Sequence, residues 1–191
     1  PYTQRRCHGS FRWIYDYSGG QLTDLGAHFN DLAQWANDSE DTGPVEYEGW
    51  AEYTKDGLFD TPVRFEVVAR YANGVKMIMH DETEPGRGPR GNKFVGTEGW
   101  VSVDDTGKIT ASSEAIMREV KVVQRGYEYM TGHHRNFLDC VKTRSQPISS
   151  AEASHRSVTT CHAANICLRV GRKLRWDSES ERFVGDDAAN R

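Results

Sequence analysis

The sequence predicts an α+β domain: an open, mostly antiparallel β-sheet with helices packed on one face. Two middle segments, "VEYEGWAEYT" and "VRFEVVARYA", alternate apolar and polar residues with a period of two. Asn73-Gly74 separates the second from "VKMIMHD", and that dipeptide favours a two-residue hairpin turn. Apolar residues at helical spacing flank this block, so helices surround the strands instead of alternating with them.

The elements follow in order. Residues 1–20 are aromatic and polar and end in a Gly pair, which predicts an irregular or short-strand start. A helix is expected from Thr23 to about Asn37, where Leu25, Phe29, Leu32 and Ala36 recur at helical spacing before Gly43-Pro44. The three strands above come next. After a Gly/Pro-rich loop, "NKFVGTEGW" and "VSVDD" predict two short strands joined by a tight turn. Helices are expected near Ser113 to Glu119, from Thr131 to about Thr143 and from Ala151 to about Arg172, and "LRW" and "RFV" close the chain as short strands. With 191 residues and no repeat or linker, the chain reads as one domain, 1–191.

Composition narrows the function. Apolar residues make up 37% and charged residues 27%, an ordinary globular balance. A formal net charge of −4 with scattered Lys and Arg argues against nucleic acid, whose binding needs a basic face. The densest basic run, Arg169 to Arg175, falls at a helix end, where cations complement the dipole. No segment has the length of a membrane span and no signal peptide is visible, so no membrane partner and a cytoplasmic location are expected. Cys7, Cys140, Cys161 and Cys167 form no C-x-x-C pair and read as reduced thiols.

Two segments invite chemical readings. "GRGPRG", Gly86 to Gly91, satisfies G-x-G-x-x-G, but a strand-like segment follows it where a dinucleotide fold needs a helix, so a surface loop is expected. In "SGGQLTDLGAHFNDLAQWA", Asp24, His28 and Asp31 fall within an arc of about 60°, apart from the apolar stripe. Three readings stay open there. The set is a solvated helix face with a dipole contribution from Asp24, a metal site short of a fourth ligand, or a carboxylate–imidazole pair for acid–base work on a hydroxyl.

The segments "GGQLTDLGAHFNDLAQWA", "GPVEYEGWAEY", "NGVKMI", "FVGTEGWVSV", "HHRNFLDCVKTRSQPI" and "HRSVTTCHAANICLRVGRKLRWD" together resemble the C-terminal half of Gfo/Idh/MocA oxidoreductases, in order, from about Phe11 to Arg191. The resemblance implies a substrate-binding and dimerisation half of an NAD(P)-dependent enzyme that oxidises a hydroxyl of a sugar, cyclitol or related polyol. It implies an open sheet that forms a homo-oligomer. The family's D-x-x-x-H element matches Asp24 and His28, with His28 as acid/base and Asp24 holding substrate. Arg12, Tyr15 and His134 are expected substrate contacts by position only, and Asp31 is expected beside them. The Rossmann fingerprint and the E-K-P lysine have no match here. NAD or NADP is therefore expected to bind a domain absent from this chain, with no cofactor or metal in the chain itself, and the chain alone is expected to be inactive. The alternative is a non-catalytic carbohydrate-binding or dimerisation module. His155 and His162, on the long helix, read as structural histidines.

Overall fold

A computed structural model describes residues 2–81, 90–121 and 131–191. The chain divides into two compact units, residues 1–88 with 155–191, and residues 89–154.

The first unit opens with two 3-10 turns, Gln4–Arg6 and His8–Trp13, where an irregular or strand-like start was expected. Helices α1 (Gln21–Asp24) and α2 (Gly26–Ala36) follow, divided only by Leu25, whose backbone is itself helical. Strands β1 (Glu46–Glu52), β2 (Arg64–Arg70) and β3 (Lys76–His80) are in register as an antiparallel meander. The Asn73-Gly74 turn joins the last two, with Gly74 at φ +89°. The second unit holds the antiparallel sheet β4 (Gly91–Val95), β5 (Trp100–Asp104) and β6 (Ile109–Ala111), with α3 (Glu114–Glu119) and α4 (Thr131–Thr143). Helix α5 (Ala151–Val170) ends at Gly171, whose φ of +65° and bond to the Cys167 carbonyl form a left-handed cap. Strands β7 (Leu174–Asp177) and β8 (Arg182–Phe183) extend the first sheet in the order β3-β2-β1-β7-β8.

The fold class is α+β with open antiparallel sheets and helices. Two sheets stand where a single one was expected, and β6, three residues long, is too short for a period to show. Of "GRGPRG", residues 86–89 lie outside the described residues, and Gly91 opens β4.

One face of the five-stranded sheet makes the core. Tyr47, Phe65, Val67, Ala69, Met77 and Met79 pack with Leu22 and with Ala163, Ala164, Cys167 and Leu168 of α5. Small residues on α5 allow close approach to the sheet, and each large apolar side chain buried there contributes roughly 1.5–3 kcal/mol. Burial pushes the Cys161 and Cys167 thiols up to about 11, so both stay protonated and inert at neutral pH. All four cysteines are free.

Helix α2 overturns one expectation. Its apolar stripe is only partly covered: Leu25 and Phe29 are half-buried and Leu32 and Ala36 exposed, while Asn30 and Gln34 are buried. The polar side chains are satisfied inside. The Asn30 amide donates to Met79 Sδ and Cys161 Sγ. The Gln34 amide donates to the Ser39 and Thr42 carbonyls, at 3.0 and 2.9 Å, and its oxygen accepts from the Tyr71 hydroxyl. Buried polar groups so bonded lose little, whereas removing one partner strands the others. Gln34→Leu is therefore expected to destabilise the chain by about 2–4 kcal/mol in urea unfolding. Leu32→Ser should stay within roughly 0.5 kcal/mol of wild type, as surface changes do. Equal losses from the two variants would contradict this burial pattern.

Candidate functional site

A cleft of about 880 Å³ opens in the first unit. One wall is the N-terminal segment, contributing Phe11, Arg12, Tyr15, Asp16, Tyr17, Ser18, Gly19, Thr23 and Asp24. The other is one face of α5, contributing His162, Asn165, Ile166 and Arg169 at spacings of three, four and seven.

The glycine pair lets these walls meet. A Cβ at Gly19 would lie 2.5 Å from the Thr23 methyl and 2.6 Å from the Asn165 amide nitrogen. Gly20 has φ +73°, and a Cβ there would strike Thr61. With no side chains in the way, the Gly19 carbonyl accepts from Asn165 Nδ2 at 2.8 Å, and the Gly20 amide donates to the Arg12 carbonyl at 2.9 Å. Asn165 is 5% exposed, and its other amide atom, Oδ1, accepts from the Tyr15 hydroxyl at 3.1 Å. Burial pushes the Tyr15 phenol well above its ordinary value and the neighbouring Tyr53 raises it further, so it remains a hydroxyl donor. The Tyr15 backbone amide donates to Asp60 at 2.7 Å.

Arg12 Nε donates to Asp24 Oδ1 at 2.8 Å, with both side chains about one-third exposed. The pair neutralises itself and Arg12 Nη1 donates to the Gly9 carbonyl at 3.3 Å, which leaves the other Asp24 oxygen and the Arg12 Nη2 group to meet hydroxyl groups. Arg169 stacks on the Tyr15 ring, its guanidinium carbon 4.7 Å from the centroid.

The residues expected at a site thus divide. Arg12, Tyr15 and Asp24 line one cleft. His28 lies four residues beyond Asp24 on the same helical run, exposed, and is not part of the cleft lining. Asp31 accepts from the hydroxyl of buried Ser157 at 2.6 Å, a bond between α2 and α5. His134 is exposed on α4, in the second unit. Asp24, His28 and Asp31 do not converge on a metal: among the described residues no group of three His, Cys, Asp or Glu side chains is placed to hold one. His162, expected to be structural, is exposed and lines the cleft. His155 is also exposed and pairs with Glu181.

Asn165 and Arg169 were not foreseen. A signal was present in the 162, 165, 169 spacing, which sets three polar side chains on one face of the otherwise small and apolar second half of α5.

The match to a family model decides the affiliation: the model described as the oxidoreductase family C-terminal alpha/beta domain covers residues 1–191. The chain belongs to the Gfo/Idh/MocA oxidoreductase family, as its C-terminal domain. No curated protein matches it. Among solved structures, this Gfo/Idh/MocA chain is similar to an aldose-aldose oxidoreductase from Caulobacter crescentus complexed with glycerol (TM-score 0.66, 14% identity, covering 87% of this chain and 51% of that one). It is similar to the WlbA dehydrogenase from Chromobacterium violaceum in complex with NADH and UDP-GlcNAcA (TM-score 0.63, 16% identity, 89% and 49% covered). An NAD-binding protein from Listeria innocua matches with a TM-score of 0.62 at 18% identity, over 88% and 51% of the two chains. At such identities the likeness is one of fold. The chain spans about half the length of these structures.

The described residues do not form the strand, glycine turn and helix of a dinucleotide fold. Every strand pairing among them is antiparallel, and no glycine turn leads from a strand into a helix N-terminus, the arrangement that holds a pyrophosphate. Among the described residues no helix is long and apolar enough to cross a membrane.

Proposed function

We propose that this chain is the substrate-binding and dimerisation half of an NAD(P)-dependent, cytoplasmic oxidoreductase acting on a hydroxyl of a sugar, cyclitol or related polyol. Residues 1–191 form one such C-terminal domain, and NAD or NADP binds a domain outside this chain. The chain by itself is inactive. What supports the reading is family membership together with the convergence of Arg12, Tyr15 and Asp24 on one cleft. A phenol, a guanidinium edge and a carboxylate oxygen recognise adjacent hydroxyl groups by donating and accepting in alternation. Asp24 holds a substrate hydroxyl. His28, one helical turn further, is the acid/base at the reacting hydroxyl, and Asp31 and His134 belong to the substrate side. The exposure of His28 beyond the cleft wall suits a group whose remaining surroundings come from another domain.

A second reading, a non-catalytic carbohydrate-binding module, draws on the same observation that His28 is outside the cleft lining. Activity separates the two. In the oxidoreductase assembled with its NAD(P)-binding domain, His28→Ala is expected to lower kcat by about 10² to 10⁴-fold with nucleotide affinity unchanged. Turnover near wild type would overturn the catalytic assignment.

The dimer is proposed to form through the outer sheet face. There Val68 pairs across strands with Ile78, and Trp50 pairs with Glu66. Ile78 is 56% and Trp50 47% exposed, within a rim of Glu48, Glu52, Arg64, Lys76 and His80. Apolar side chains ringed by charge suit an isologous contact between two copies. Sedimentation at micromolar concentration should show a dimer that Ile78→Glu dissociates, and a wild-type monomer would refute it.

A further inference from the structure

From the unpaired Arg169 at the cleft wall we infer that the ligand carries an oxyanion, a sugar carboxylate or phosphate, held by the guanidinium fork of that residue. The inference rests on the reading of the cleft as a sugar site and names the class of sugar.

Two arginines line the cleft, and one of them, Arg12, is paired with Asp24 at 2.8 Å. Arg169 forms no ion pair among the described residues and is exposed at the cleft wall. Setting the Arg12–Asp24 pair aside leaves Asp16 and Arg169 as the charged groups of the lining. Asp16 can accept hydrogen bonds from sugar hydroxyls, and Arg169 is the cation that can meet an anion.

Arg169 is also held in position. Its guanidinium carbon sits over the Tyr15 ring, 4.7 Å from the centroid. The ring is fixed in turn by the hydroxyl bond to Asn165, by Tyr53 and by the backbone bond to Asp60. Among the described residues no side-chain N–H of Arg169 makes a hydrogen bond, so its donors are free to take a carboxylate or phosphate through two parallel bonds. A cation placed only to complement the end of α5 needs no such stack, and lysine serves there equally well.

Calorimetric titration of the 191-residue chain with glucose, glucuronate and glucose 6-phosphate tests the inference on wild type, Arg169→Gln and Arg169→Lys. Wild type should bind at least one charged sugar about tenfold or more tighter than glucose, since a charge-assisted bidentate bond supports a ratio of that size. Whichever charged sugar leads identifies the oxyanion. Arg169→Gln should bring the ratio to within about twofold, and Arg169→Lys should lose most of it while keeping the helix-end cation. Equal binding of glucose and both charged sugars, or a lysine variant matching wild type, overturns the inference and leaves the sugar site standing. Absence of binding by all three sugars overturns both.

Discussion

The candidate site depends on one buried side chain. Asn165 sits on α5, 95% removed from solvent, and its amide spends both ends on the N-terminal segment: the nitrogen on the Gly19 carbonyl, the oxygen on the Tyr15 hydroxyl. These contacts join residues 146 and 150 positions apart in the chain. A segment made of 3-10 turns and a glycine pair has little structure of its own, and without such ties it would fray. With them, it becomes one wall of a cleft whose other wall is a helix packed into the core. The stack of Arg169 on Tyr15 and the Arg12–Asp24 pair are built on a backbone already fixed.

Helix α2 shows the same economy turned inside out. Asn30 and Gln34 face the core and use their amides to tie the helix to the sheet and to the 39–42 loop, while Leu32 and Ala36 face outward. Amide groups with several fixed partners specify one helix orientation more sharply than apolar contacts, which tolerate rotation. That orientation decides where Asp24, His28 and Asp31 point: Asp24 to Arg12, Asp31 to Ser157 and His28 to the surface.

The strands were legible in the sequence because half-buried antiparallel strands write their burial directly as alternation, and Asn73-Gly74 names its turn. Helices α3, α4 and α5 were legible from caps and spacing. The rotation of α2 was not, because an apolar stripe is a guide to burial only when the core wants apolar partners, and here sulfur atoms, carbonyls and a phenol supplied polar ones. The division into two sheets was hidden for a different reason: alternation reports which face of a strand is buried and is silent on which strands pair. Within the site, Asp24 and His28 stood out by residue type, and Arg12 and Tyr15 by position near them. Asn165 and Arg169 were obscured by the apolar second half of α5 and by a basic run with a ready explanation in the helix dipole.

The account turns on Asn165 fixing the cleft, so the most direct test removes its two bonds at nearly constant volume. Asn165→Leu should remain folded, with the amide resonances of the β1–β2–β3 sheet little changed, while those of residues 11–24 shift and the affinity for sugar falls about tenfold or more, as expected when a binding wall loses its preorganisation. Unshifted resonances for residues 11–24 together with wild-type sugar affinity would contradict it.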